Sequence, residues 1–136
     1  MKKTVCLDFD GVINPYSKGW QQGVLYEKNV VPGFFEWADK MMTSDDIHLV
    51  IYSSRSKDSV MVMQMREWLQ ECFNQWRWQT TKTPNWTIND IEFAHEKPPA
   101  WLTIDDRAVQ FQGTWDDPAL SLESIANFKS WNQRNA

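Results

Sequence analysis

The chain has little with which to cross-link itself. It holds two cysteines, Cys6 and Cys72, and no Cys-x-x-Cys pair. A disulfide framework or a cysteine-based zinc site is therefore not expected, and both thiols read as buried and free in a reducing, cytoplasmic setting. Long apolar runs are also missing. The run after Lys2 and Lys3 stops at Asp8, too early for the core of a secretory signal. No segment approaches the roughly 20 apolar residues of a membrane span. Positive charge is short too: 14 Lys and Arg stand against 18 Asp and Glu, a net charge of −4. Broad attraction to nucleic acid or anionic membrane is thereby disfavoured, and a nucleic-acid partner would need a local basic groove. No internal repeat and no linker divides the chain, which reads as a single domain over residues 1–136.

What is present is an ordinary globular composition, 42% hydrophobic and 24% charged, enough for a real core. Only the polar tail, residues 132–136, is expected to stay outside it. Nine tryptophans are unusual. Trp37 and Trp68 fall in helical patterns and read as core. Trp20, Trp86 and Trp115 fall in loop-like surroundings, where loop packing is the simpler reading and a stacking surface the other.

Along the chain, Thr4–Leu7 reads as a short buried strand. Residues 13–31 are irregular. Pro32-Gly33 opens a helix whose apolar face is Phe34, Phe35, Trp37, Ala38 and Met41, ended by Thr43-Ser44-Asp45-Asp46. Ile47–Tyr52 is a second strand, and its continuous Leu49-Val50-Ile51 points to a parallel sheet covered on both faces. Ser56 is placed as the cap of a long helix running to about Trp76, striped by Met61, Met65, Trp68, Cys72 and Trp76. Thr87–Phe93 reads as a weaker strand, Trp101–Ile104 as another, Phe111–Trp115 as an edge strand or hairpin, and Leu120–Trp131 as a final helix with Leu122, Ile125, Ala126 and Phe128 inward. The alternation predicts an α/β fold, a three-layer Rossmann-like sandwich around a mostly parallel sheet.

Ligand sites in such sheets lie beyond the carboxyl ends of the strands. The notable polar residues fall there: Asp8 and Asp10 after the first strand, Ser53 after the second, Asp105 and Asp106 after the last. Four carboxylates in one crevice require compensation. A hard divalent cation supplies it, and all-oxygen ligation selects Mg²⁺ over zinc. Ser53 and Lys97 add a hydroxyl and a positive charge, which suit the oxygens of a phosphoryl group. One carboxylate can attack phosphorus to form an aspartyl phosphate. A second, two residues on, can protonate the leaving oxygen and then activate water.

With these residues in hand, the chain resembles the haloacid dehalogenase superfamily of phosphohydrolases. Asp8-Phe9-Asp10-Gly11-Val12 is similar to its first motif. Leu49-Val50-Ile51-Tyr52-Ser53-Ser54-Arg55 resembles the second, Lys97 the third and Ile104-Asp105-Asp106 the fourth. The resemblance covers residues 4–107. It implies Asp8 as nucleophile and Asp10 as general acid/base, with the Asp10 backbone carbonyl offered to Mg²⁺. Ser53, with Ser54 as the alternative, holds phosphate beside Gly11, Arg55 and Lys97. Asp8, Asp10, Asp105 and Asp106 form the metal set, with Asp105 or Asp106 as the direct ligand. Arg55 and Arg107 either touch phosphate or pair with the acids, and His95 is placed in a surface loop.

The expected activity is Mg²⁺-dependent hydrolysis of a phosphomonoester. Two rivals share many of the parts: a phosphorelay receiver, and a phosphate-binding protein of the same fold without turnover. The receiver needs its phospho-accepting Asp on a central strand and its lysine late in the chain, an order not found here. Neither the roughly twenty residues between Asp10 and Pro32 nor those between Ser53 and Lys97 leave room for a folded cap. The site is therefore expected to be open and its phosphorylated substrate to be large or covered by a partner, with an oligomer left open. Tyr16, Trp20 and Tyr26 would form the rim. Nucleotide, nucleic-acid end, sugar phosphate and phosphoprotein all fit that description.

Overall fold

A computed structural model of the chain describes residues 2–134. Four strands, β1 (Lys3–Leu7), β2 (Ile47–Ile51), β3 (Glu92–Phe93) and β4 (Leu102–Ile104), form one sheet in the order β3-β2-β1-β4. Every pairing is parallel. Leu7 is level with Ile51 on one side and Ile104 on the other, and Ile51 is level with Phe93. The residues that leave the sheet next, Asp8, Tyr52 and Asp105, therefore emerge side by side. The ladder runs one residue further, with Asp8 N donating to Ile104 O at 3.0 Å and Tyr52 N to Leu7 O at 3.0 Å.

Val5, Cys6 and Leu7 of β1 and Leu49, Val50 and Ile51 of β2 are all buried, as their unbroken apolar runs require of strands covered on two faces. On one face lie α1 (Phe34–Met42) and α2 (Ser59–Thr80). Val5, Leu7, Leu49 and Ile51 share a core cluster with Phe35 and Ala38 of α1 and with Met65, Leu69 and Phe73 of α2. Aromatic edges lock it, with Phe9 against Trp68 at 5.5 Å, Phe35 against Phe73 at 5.6 Å and Phe73 against Trp86 at 4.8 Å between centroids. Trp86 is thus core, and its indole N–H is satisfied by Asp39 Oδ1 at 2.7 Å.

The other face is reached by a reversal. The steps β1 to β2 to β3 run one way, so right-handed crossovers put both helices on the same face. The step from β3 to β4 runs back past β2 and β1. Its connection, residues 94–101, has no helix or strand and passes the face of Cys6, pinned where Ala94 N donates to Ile51 O and Trp101 N to Thr4 O. This reversal makes the carboxyl ends of β1 and β4 a topological switch point, the position where open α/β sheets form a crevice.

Several local expectations are corrected. The N-cap of α2 is Asp58, which accepts from Val60 N at 2.8 Å and Met61 N at 3.4 Å. Ser56 instead closes a 3-10 turn over Ser54–Lys57, its Oγ accepting from Ser53 N. Only Glu92–Phe93 of the expected 87–93 strand pairs. Thr87 N donates to Asp90 Oδ2, and this local bond favours a 3-10 turn at Ile88–Asp90 over the sheet. Phe111–Trp115 forms no strand, and its two rings pack on each other at 5.1 Å while both stay exposed. The final helix shrinks to α3 (Leu122–Ala126). Asn127 Nδ2 donates back to Glu123 O and competes with the next turn, and a helix this short cannot bury a face, so Leu122 and Ile125 point to solvent. Residues 131–134 form one further helical turn, α4. Of the tail expected outside the core, Asn132 is tied down at Pro15 O, and 135–136 lie outside the described residues. Cys6 and Cys72 are buried free thiols. Among the described residues, no helix is long and apolar enough to cross a membrane.

Candidate active site

The crevice at the switch point holds a pocket of about 170 Å³ lined by Cys6, Asp8, Tyr52, Ser53, Ser54, Lys97, Thr103 and Asp105. Four segments build it: the end of β1, the end of β2, the crossing segment and the end of β4. Lys97 reaches it because residues 94–101 pass over the Cys6 face on their way to β4. Asp8, Asp105 and Asp106 each present a carboxylate oxygen within 4.8 Å of the others.

That clustering shows in the protonation of the free site. The Asp8 carboxyl is pushed up to about 7, first by burial and then by the charges of Asp105 and Asp106; a bond from its own neighbour, Phe9 N to Asp8 Oδ1 at 2.8 Å, pulls the other way. Asp106 is also raised, again mainly by burial. The three carboxylates are hard oxygen donors lying near one another, a set that could hold a hard cation.

Asp10 stands apart from this group. Its Oδ1 accepts from Asn14 Nδ2 at 2.9 Å and its Oδ2 from Arg55 Nε at 2.8 Å. Its carboxylate is therefore not one of the three that converge. Arg55 is buried, and its Nη1 also donates to Gly23 O at 2.9 Å while the ring of Trp20 lies 4.8 Å from its Cζ. The contacts of Arg55 are thus with Asp10 and the 15–31 loop, the pairing alternative of the two read from sequence. Arg107 is exposed, its backbone N–H held by Asp105 Oδ1 at 2.9 Å. The His95 ring meets Ser56 O at 3.2 Å.

Ser53 is buried, and its Oγ accepts from Arg55 N at 3.1 Å as the cap of the 3-10 turn. This bond uses the oxygen as acceptor and leaves the hydroxyl proton for a ligand. Ser54 is exposed on the same pocket wall. Gly11 has φ 84°, and a Cβ there would run into the Asp106 carboxylate, so glycine serves both the turn and the close approach.

Four residues had no clear signal in the sequence. Asn14 is buried and fixes Asp10; its place within one turn of the acid pair was the available hint. Thr103 faces the pocket from β4. Trp131 Nε1 donates to Gly11 O at 2.6 Å and Asn132 Nδ2 to Pro15 O at 3.2 Å, so the end of the chain braces the loop after β1 from 120 positions away. Of the expected rim, Tyr16 is half-buried with φ 57°, Trp20 is committed on one side to Arg55, and Tyr26 lies under Lys18 Nζ at 5.6 Å. No protein-family model, curated protein or solved structure matches this chain.

Proposed function

We propose that the protein is a Mg²⁺-dependent phosphohydrolase acting on a phosphomonoester, as the resemblance to the haloacid dehalogenase superfamily implies. The observation that carries this reading is the convergence of Asp8, Ser53, Lys97 and Asp105, from four separate segments, on one pocket at the switch point of a parallel sheet.

The residue roles follow from the chemistry. An oxygen of Asp8 attacks phosphorus, the bond to the leaving oxygen breaks, and the alcohol departs with a proton from Asp10. Asp10 then takes a proton from water, which attacks the aspartyl phosphate and returns Asp8 as a carboxylate with release of phosphate. Asp10 enters protonated and regains its proton from water; Arg55 and Asn14 fix its carboxyl with one hydrogen bond to each oxygen, which leaves a second lone pair on each to carry that proton. Ser53 and Lys97 meet the equatorial oxygens of the phosphoryl group. Asp8, Asp105 and Asp106 would hold Mg²⁺, which when bound offsets the negative charge of the acids and the phosphate.

The same reading extends to the architecture. A three-layer sandwich would have residues 94–101, pinned at Ile51 O and Thr4 O, serve as its second outer layer. The absence of helix and strand from residues 15–31 supports a capless, open site.

Phosphate release with and without Mg²⁺, over sugar phosphates, nucleotides and phosphopeptides, tests the reading. Wild type should turn over at least one substrate, and Asp8→Asn should remain folded with turnover lost. Turnover by Asp8→Asn near the wild-type level would remove Asp8 from its role. No release from any substrate under any divalent metal would favour a phosphate-binding protein without catalysis.

A further inference from the structure

Eight of the nine tryptophans meet a ring or a cation, or donate the indole N–H to a carbonyl. Trp78 does none of these among the described residues, and it is 83% exposed. A single exposed apolar residue is ordinary. The surroundings of this one are not. It lines a surface pocket of about 540 Å³ at the end of α2, together with Asn74, Arg77, Thr81, Lys82 and Thr83. In a chain of net charge −4, that lining holds two cations and no acid. This is the local basic surface that the composition demanded of any nucleic-acid partner.

The parts are available to a ligand. Neither Arg77 nor Lys82 makes an ion pair among the described residues. The Arg77 guanidinium lies over the buried ring of Phe73, 5.6 Å from its centroid, which holds it at the base of the pocket. Asn74 Oδ1 accepts from Gln70 Nε2 at 2.9 Å, so its amide hydrogens remain free to donate. Thr81 caps the helix with φ 55°, in the left-handed region where glycine or asparagine is usual and a β-branched residue is strained. Strain of this kind concentrates at ligand sites.

The chemistry of the ligand follows. The carbonyl end of a helix repels a bare anion, so inorganic phosphate alone is a poor fit. An aromatic ring carrying a phosphate on either side uses both the indole and the two cations. All six lining residues are exposed, and such a surface cannot enclose most of a small molecule as ligand pockets do. A strand lying across it needs no enclosure. A duplex keeps its bases stacked on one another, and only a single strand offers a free base face to the indole.

We propose that the end of α2 binds single-stranded nucleic acid, one base stacking on Trp78 and the flanking phosphates meeting Arg77 and Lys82. Stacking is tolerant of base identity, so the site has little sequence preference. α2 starts directly after the turn that carries Ser53 and runs 22 residues, about 33 Å, before reaching this pocket. The site is therefore remote from Asp8 and does not rest on the phosphohydrolase reading.

Fluorescence anisotropy in chelator at low salt, with a labelled oligodeoxythymidylate of about ten nucleotides, tests this. Wild type should bind the strand more tightly than a hairpin duplex of the same length. Trp78→Ala should weaken strand binding about tenfold with Tm unchanged, and Trp78→Phe should recover part of the loss. The slope of log affinity against log salt should be about −1.4 for two phosphate contacts and about −0.7 in Lys82→Gln. Asp8→Asn should bind the strand as wild type does. No binding at low salt, equal binding of the hairpin, or strand binding unchanged in Trp78→Ala overturns the proposal. A loss in Asp8→Asn equal to that in Trp78→Ala would move the strand to the crevice and overturn the assignment to α2.

Discussion

Arg55 Nε donates to Asp10 Oδ2 at 2.8 Å across 45 positions of sequence, with the Arg55 side chain 2% and the Asp10 side chain 14% exposed. Through Gly23 O and the ring of Trp20, the same guanidinium organises a loop that has no secondary structure of its own. Arg55→Ala should leave the largely buried Asp10 carboxyl with Asn14 Nδ2 as its remaining side-chain donor, and should cost about 3–5 kcal/mol. Urea denaturation measures the loss. Hydrogen exchange should show faster exchange in residues 15–31 than in β1 and β2. A loss below about 1 kcal/mol would mean that water replaces the guanidinium without penalty.

Gly11→Ala meets two obstacles, a left-handed backbone and the Asp106 carboxylate. The first costs about 1–2 kcal/mol. The second displaces Asp106 from its place beside Asp8. Calorimetric titration with Mg²⁺ should therefore show weaker binding than in wild type, at a stability loss that leaves the protein folded. Unchanged affinity would separate Asp106 from the cation site.

Without metal, stability should fall as pH rises towards neutrality. Asp8 holds its proton in the folded chain up to about 7, against 3.8 for the ordinary side chain. Between those values the folded state binds more protons than the unfolded state, so raising the pH favours unfolding. Asp106, also raised, acts in the same direction. Thermal melts in chelator should show Tm declining over about pH 4 to 7, and Mg²⁺ should remove most of the decline by favouring the carboxylates. A Tm that rises through that window in chelator would contradict the crowding of these acids.

Trp131→Phe keeps an aromatic ring and deletes the N–H that reaches Gly11 O at 2.6 Å. About 1 kcal/mol of stability should be lost, and Mg²⁺ binding should weaken with it because the braced loop carries Asp10 and abuts Asp106. Equal stability and equal Mg²⁺ affinity would show that the end of the chain merely rests on the loop.

Much of the sheet and helix pattern was legible because its signals are local. The apolar runs at 4–7 and 47–52 were long enough to mark buried strands, and the stripe of Met61, Met65, Trp68 and Cys72 marked α2. Where the chain makes short-range side-chain bonds, the reading failed. Thr87 with Asp90 and Asn127 with Glu123 each trade a regular element for a local hydrogen bond. Phe111 and Trp115 are strand-like by residue type, yet the segment forms no strand and the two rings pack on each other instead.

The sequence by itself determined the chemistry at hand: two carboxylates after one strand, a serine after the next, a lysine and two more carboxylates near a third. Those identities follow from composition and order alone. Only the tertiary structure decided which of them meet. The reversal between β3 and β4 carries Lys97 over the sheet and sets Asp105 level with Asp8. The buried guanidinium of Arg55 draws Asp10 out of the acid cluster. The reason is physical: a charge removed from water takes the partner that the packing brings to it, and neither the partner nor the packing is written in the residues next to it.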